Sequence, residues 1–100
     1  MLNIAIVMGR LTADPELRYT PNNTAVVSFR LAVERNYKGQ GKEKETDFLS
    51  VVAWRNTAEF IAKYFRRGSM MAVQGPIQTR SYTDRQGDKR TATEILAEQV

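Results

Sequence analysis

The stretch Asp47-Phe48-Leu49-Ser50-Val51-Val52-Ala53-Trp54-Arg55 decides the fold. Leu49, Val51 and Ala53 occupy one parity, and Phe48, Ser50, Val52 and Trp54 the other. Side chains of a strand point alternately to its two faces, so this is a strand with one face in a core and the other turned outward. The outward face carries two large rings. Six residues separate Phe48 from Trp54, which at roughly 3.3 Å per residue sets them about 20 Å apart on one face.

Upstream, Ala25 to Glu34 repeats the alternation, with Ala25, Val27, Phe29, Leu31 and Val33 on one side and Ser28, Arg30 and Glu34 on the other. Between these strands lies Asn36-Tyr37-Lys38-Gly39-Gln40-Gly41-Lys42, whose glycines permit positive φ and whose charges require water, so it reads as a long hairpin loop. A first strand runs from Asn3 to Leu11. Ile4, Ile6 and Met8 lie opposite Ala5, Val7 and Leu11, which makes it apolar on both faces. One face enters a core; the other is covered either by the chain's own loops or by a second subunit.

Downstream, Asn56 to Arg67 reads as a helix. Asn56 is a good N-cap with Glu59 three residues on, and Ala58, Ile61, Ala62 and Phe65 form one stripe. Arg66 and Arg67 complement the dipole at its end, and Gly68 suits a left-handed cap. Met70 to Thr83 alternates again, with Met71, Val73 and Ile77 opposite Gln74, Gln78, Arg80 and Tyr82. Gly75-Pro76 predicts a bend or bulge within that strand. Asp84 to Asp88 turns the chain into a last strand from Lys89 to Val100. The order predicts an all-β domain with one helix: a five-stranded Greek-key β-barrel with the helix between strands 3 and 4, the OB-fold layout, occupying residues 1–100 as one domain.

Composition narrows the function. Of the 100 residues, 42% are hydrophobic and 26% charged, the balance of a soluble globular protein. The apolar start, Met1 to Met8, is too short for a membrane span and lacks a cleavage-like region, so the expectation is a cytoplasmic protein with no membrane partner. There is no cysteine and no histidine, which removes disulfides, thiolate nucleophiles, the usual general base and the commonest metal ligand. Glu34, Glu45, Asp47 and Glu94 are scattered without metal-ligand spacing, so neither a metal, nor a cofactor, nor catalysis is expected. A formal charge of +4 and a pI near 9.7 suit a polyanion, although solubility alone also explains such a surplus.

Placement of the charges distinguishes these readings. Tyr37 lies in the long loop, Phe48 and Trp54 on the outer face of the third strand, and Tyr82 on the outer face of the fourth. Lys38, Lys42 and Lys44 surround Tyr37, Arg30 is on the wet face of the second strand, Arg55 adjoins Trp54, and Arg80 shares a face with Tyr82. Arg10, Arg18, Arg67 and Arg90 could extend this track. Exposed rings interleaved with cations suit single-stranded nucleic acid, whose base faces stack while its phosphates meet the charges. Large aromatics more often fill a core, but Leu49, Val51 and Ala53 already claim the inner face beside Phe48 and Trp54. Duplex reading fits poorly, because the one helix has a packed apolar stripe and basic residues only at its end.

Val7-Met8-Gly9-Arg10-Leu11, Asp14-Pro15-Glu16-Leu17-Arg18-Tyr19, Trp54-Arg55-Asn56-Thr57-Ala58-Glu59, Arg67-Gly68-Ser69 and Gln78-Thr79-Arg80-Ser81-Tyr82 together resemble bacterial single-stranded DNA-binding proteins, collinearly and over essentially the whole chain. The resemblance implies an OB-fold homotetramer that wraps single-stranded DNA in replication, recombination and repair. Its stacking positions fall on Tyr37, Phe48, Trp54 and Tyr82. It also implies a flexible linker and an acidic tip that recruits replication and repair proteins; this sequence stops at Val100, so that recruiting tail is expected to be absent from it. Two alternatives remain open at this point: a replisome-assembly or protein-interaction module, and a binder of single-stranded RNA, since stacking does not read the sugar.

Overall fold

The computed structural model describes residues 1–36 and 45–100. Eight elements follow in order: β1 (Ala5–Leu11), β2 (Glu16–Tyr19), β3 (Ala25–Glu34), β4 (Thr46–Trp54), α1 (Arg55–Tyr64), β5 (Met70–Gly75), β6 (Ile77–Thr83) and β7 (Lys89–Leu96). The fold is mostly β with one helix, and the helix falls between β4 and β5. Among the described residues no helix is long and apolar enough to cross a membrane.

All seven strands belong to one sheet, in the order β5-β1-β3-β4-β7-β6, with β2 pairing β3 off that path. Among the described residues seven strands stand where five were expected: β2 is an additional strand that the sequence reading did not include, and the predicted fourth strand is divided beside a proline, which cannot donate to a ladder. β1 and β2 are antiparallel to the same strand, β1 meeting Leu31 and Ala32 and β2 meeting Ala25 to Ser28. They form one lane, interrupted between Thr12 and Pro15. β2 shows too short an alternation, with Leu17 alone half-buried, to be read from sequence. Pro76 likewise divides the predicted fourth strand: β5 pairs β1, whereas β6 pairs β7.

β3 and β4 are antiparallel along their whole length, from Val26 opposite Trp54 to Glu34 opposite Thr46. The strands flanking the predicted loop are therefore hairpin neighbours, although Tyr37, Lys38, Lys42 and Lys44 themselves lie outside the described residues. The inner parity of β1, β3, β4, β5 and β7 feeds one core: Leu11, Val27, Leu31, Val51, Ala53, Met71, Val73 and Ile95 are all buried, and Ala58 and Ile61 of α1 close it. The predicted inward residues Ala25 and Phe29 are buried too. Ile77 is a correction. It shares the parity of Met71 and Val73 but is 46% exposed, because β6 has left the body and every one of its residues is exposed.

The helix also differs from its expected bounds. It starts at Arg55, one residue before the predicted range, and its N-cap moves two residues, from Asn56 to an extended Trp54 that makes no side-chain cap bond. Asn56 is therefore inside the first turn, where it cannot cap, and no capping box with Glu59 forms. The helix ends at Tyr64, where Phe65 turns extended while its N–H still bonds Ile61 O at 3.0 Å. Arg66 closes the end as anticipated, donating to the carbonyls of Ala62 (2.7 Å) and Phe65 (2.8 Å). Gly68 is left-handed, φ 85°, yet it serves the following turn, in which Ser69 N–H bonds Arg66 O at 2.9 Å, rather than the helix cap.

Past Pro76 the sheet edges approach each other. Gln74 of β5 bridges Gln99, beyond the end of β7, and Leu96 N–H bonds Pro76 O at 2.9 Å. The side-chain amide of Asn3 completes this corner by taking the place of a strand: its Oδ1 accepts from Ile77 N–H and its Nδ2 donates to Ile77 O, each at 2.9 Å. The predicted first strand thus begins at Ala5, with Asn3 engaged through its side chain.

Two aspartates anchor the hairpins. Arg35 grips Asp47 with Nε and Nη2, at 2.9 and 3.0 Å, where β3 and β4 leave the sheet. In the β6–β7 turn, Asp84 accepts from Arg90 Nε at 3.0 Å and from the N–H groups of Gln86 and Asp88. Hydrogen bonding to Arg35 holds the Asp47 carboxyl below the ordinary 3.8, and Arg90, helped by the turn amides, does the same for Asp84. A carboxylate with a depressed folded pKa contributes stability above its unfolded value and loses it as pH falls through the folded one. With no histidine to titrate above them, the thermal midpoint is expected to stay level from about pH 7 to 5 and fall below about pH 4. A step near pH 6 in a melting series would contradict this account.

Candidate nucleic-acid interface

The register of β4 places Phe48 opposite Ala32 and Trp54 opposite Val26, with Arg30 opposite Ser50 between them. Residues directly opposite share a face, so all of these side chains emerge on the outer side. The same parity crosses to the far edge: Val52 lies opposite Leu96 of β7, and Arg80 and Tyr82 of β6 lie opposite Ala92 and Arg90. Phe48, Trp54 and Tyr82 are 54%, 42% and 43% exposed. The structure therefore gathers Arg30, Phe48, Trp54, Arg80 and Tyr82 on one face of a continuous sheet.

Two of the cations sit directly over rings. The Arg30 guanidinium carbon is 5.5 Å from the centroid of Phe48, and that of Arg80 is 5.3 Å from the centroid of Tyr82. In this arrangement each guanidinium covers part of one face of its ring, so a base stacking on the remaining ring surface brings its phosphate within reach of the cation.

Trp54 stands at a junction. On one side it lines a groove of about 290 Å³ with Val26, Ser28, Val52, Gln78, Arg80 and Glu94. On the other it lines a larger opening of about 610 Å³ with Arg55, Thr57, Thr20, Asn22, Thr24 and Glu98. Arg55 makes the corner between them. Its φ of 58° is left-handed, a conformation that costs a non-glycine residue about 1 to 2 kcal/mol, and it swings the chain from β4 straight into α1. Its guanidinium has no partner among the described residues.

The basic residues are not equivalent. Arg80 Nε is held by Glu94 at 2.8 Å, and that carboxylate is only 11% exposed. Arg90 is held by Asp84 at 3.0 Å, Arg18 by Glu16 at 3.3 Å, and Arg10 donates to Gly68 O at 3.0 Å. Of the four residues considered as extensions of the track, only Arg67 keeps a side chain without a partner among the described residues. The hydroxyl and amide groups of Thr20, Asn22, Thr24, Ser28 and Gln78 line these grooves and were not legible as groove residues in the sequence. Short polar side chains in turns and on wet strand faces carry no signal until the lanes are assembled around Trp54.

Residues 2–100 match the model of the single-strand binding protein family. The chain is 51% identical over 100 residues to the single-stranded DNA-binding protein of Halalkalibacterium halodurans, covering all of this chain and 60% of that protein. It is 50% identical over 98 residues to the protein of the same name from Streptococcus pneumoniae, covering 98% of this chain and 63% of the relative. Against single-stranded DNA-binding protein A of Bacillus subtilis the identity is 49% over 100 residues, covering all of this chain and 58% of the relative. The chain thus spans about 60% of the length of the curated relatives it matches. A sheet that turns aromatic and basic side chains to one outer face, together with a family match that runs from residue 2 to residue 100, establishes that this chain belongs to the single-strand binding protein family.

Proposed function

We propose that this chain binds single-stranded DNA without regard to sequence and without catalysis, on one OB-fold domain, in cytoplasmic replication, recombination and repair. The observation that carries the reading is the position of Trp54, an exposed ring between two grooves on the face that also bears Arg30, Phe48, Arg80 and Tyr82. Stacking supplies affinity that tolerates any base, and the cations follow the phosphates. Tyr37, Lys38, Lys42 and Lys44 would extend the surface from the β3–β4 connection. Barrel closure is supported by the Gln74–Gln99 bridge and by the close approach of Gly75 to Leu96.

Self-association belongs to the same reading. Ile4, Ile6, Met8 and Met70 are exposed together on the outer side of β1 and β5. An apolar face of this kind suits a second copy of the chain, and we infer a homotetramer.

Trp54 is the single tryptophan, so its fluorescence reports on the proposed site alone. Oligo-dT is expected to quench it with an affinity that falls steeply with salt, while duplex quenches little. Light scattering along a dT ladder then counts subunits and nucleotides per assembly. Absence of quenching by any single strand would refute the proposal.

Glu94 offers a test in the opposite direction. It restrains Arg80 from within the groove that Trp54 lines, and its charge repels an approaching phosphate. Glu94→Gln is expected to tighten dT binding by roughly 3- to 10-fold near 0.1 M salt, and to steepen the salt dependence by about 0.7 for one added phosphate contact. Unchanged or weaker binding across a salt titration would remove Arg80 from the phosphate track.

A further inference from the structure

The helix carries more aromatic surface than its packing uses. Ala58 and Ile61 are buried and Phe65 is half-buried against the core, while Phe60 and Tyr64 remain 46% and 60% exposed. Their rings meet at 5.0 Å, tilted by 52°. Lys63 Nζ lies 5.3 Å from the centroid of Tyr64, the same cation-over-ring arrangement that Arg30 makes with Phe48 and Arg80 with Tyr82. Two of the three such pairs described lie on the sheet face; the third lies on α1.

Position links them. Thr57, Phe60 and Tyr64 are spaced i, i+3 and i+7, which puts them on one flank of the helix. Thr57 also lines the opening of about 610 Å³ that begins at Trp54 and Arg55. From Thr57 to Tyr64 the flank runs about 10 Å along the axis, at 1.5 Å per residue, so it starts at the groove and leads away from it along the helix.

Charge identifies the occupant. Arg55 stands at the start of the flank and Lys63 and Arg67 near its end, and the guanidiniums of Arg55 and Arg67 have no partner among the described residues. Arg66 donates to two backbone carbonyls, which fix its guanidinium at the helix end without neutralising its charge. Glu59 is the only acid on the helix; it lies off the Thr57–Phe60–Tyr64 line, one turn before Lys63, with which no ion pair forms among the described residues. A purely apolar patch would suit a protein; rings flanked by unpaired cations and leading away from the groove suit a polyanion with stacking faces.

We propose that the Thr57–Phe60–Tyr64 flank of α1, with Lys63 and Arg67, is a second contact surface for single-stranded DNA, which receives the strand as it leaves the sheet past Trp54. This rests on the function proposed above.

The test is the length dependence of binding. Fluorescein-labelled dT of about 8 nucleotides, within the span of one OB fold, and of about 35 nucleotides would be titrated by anisotropy into the wild type and into a Lys63→Ala/Tyr64→Ala variant. The variant is expected to match the wild type on the short strand and to bind the long one about 5- to 10-fold more weakly, with Tyr64→Phe restoring most of the loss. Equal short-strand affinity also shows that the variant is folded. Identical affinities at both lengths would overturn the inference and leave the flank to a protein partner. An equal loss at both lengths would overturn it too, because the flank would then not be an extension. If the wild type itself binds neither strand, the failure lies with the proposed function.

Discussion

Trp54→Ala is expected to weaken binding of labelled oligo-dT by about 5- to 150-fold, the loss of roughly 1 to 3 kcal/mol from one stacked base. The residue bounds both grooves of the candidate interface, so removing its ring removes the surface on which the proposed strand would pass from one to the other. The fold is expected to tolerate the change, since Trp54 is exposed and makes no side-chain bond as the N-cap of α1. Arg90→Ala is the matched control. Its guanidinium is bound to Asp84, so its substitution is expected to change affinity by less than about 2-fold, as for a cation already compensated. Trp54→Phe, which keeps a smaller face, should fall between the two. Equal and negligible losses for Trp54→Ala and Arg90→Ala would end the stacking model.

The second large effect concerns the fold. Gly75 is the last residue of β5, and a Cβ built on it would lie 1.7 Å from Leu96 O and 2.9 Å from Leu96 C. Both atoms are backbone, so no rotamer change relieves the clash. Gly75→Ala must push β5 away from the end of β7, opening the Gln74–Gln99 bridge and the bond from Leu96 N–H to Pro76 O. Overpacking costs about 1 to 3 kcal/mol and each lost hydrogen bond about 1 kcal/mol. A destabilisation of about 2 to 4 kcal/mol follows, lowering the melting midpoint by roughly 10 to 25 °C in a domain of this size. Gly87→Ala separates this from a generic glycine effect. Gly87 has φ 85° with nothing within 4 Å of a built Cβ, so only the left-handed strain of about 1 kcal/mol applies. The two variants should be melted by circular dichroism at equal protein concentration, because any self-association couples to the midpoint. If Gly75→Ala costs no more than Gly87→Ala, the close approach of β5 and β7 does not hold the fold together.

Much of this was legible in single segments. The outward placement of Arg30, Phe48, Trp54, Arg80 and Tyr82 follows from parity alone, because the side-chain period of a strand is a local property that no distant contact needs to supply. The inward face of β3 and β4, the existence of α1 and its buried stripe, the turn at Asp84 to Asp88 and the break at Gly75-Pro76 follow from equally local signals. The helix boundary does not. Asn56 is a better cap than Trp54 by propensity, yet the left-handed corner at Arg55 turns the chain two residues earlier. The end of the preceding strand, held in register against β3, sets where that turn must occur.

Ile77 shows the same limit from the other side. Its parity matches the core residues of β5, but whether an inward face meets a core depends on the presence of other lanes beneath it, and β6 has only β7 beside it. Which cations of the track are tied down is likewise decided by partners distant in sequence: Arg80 is 14 residues from Glu94 and Arg10 is 58 from Gly68. Sequence by itself determined the faces of the strands, and with them the aromatic and basic character of the interface, since alternation and composition are written residue by residue. Only the tertiary structure decided which lanes are neighbours, that Trp54 stands between two grooves, and which arginines are tied, because each of these depends on contacts between segments far apart in the chain.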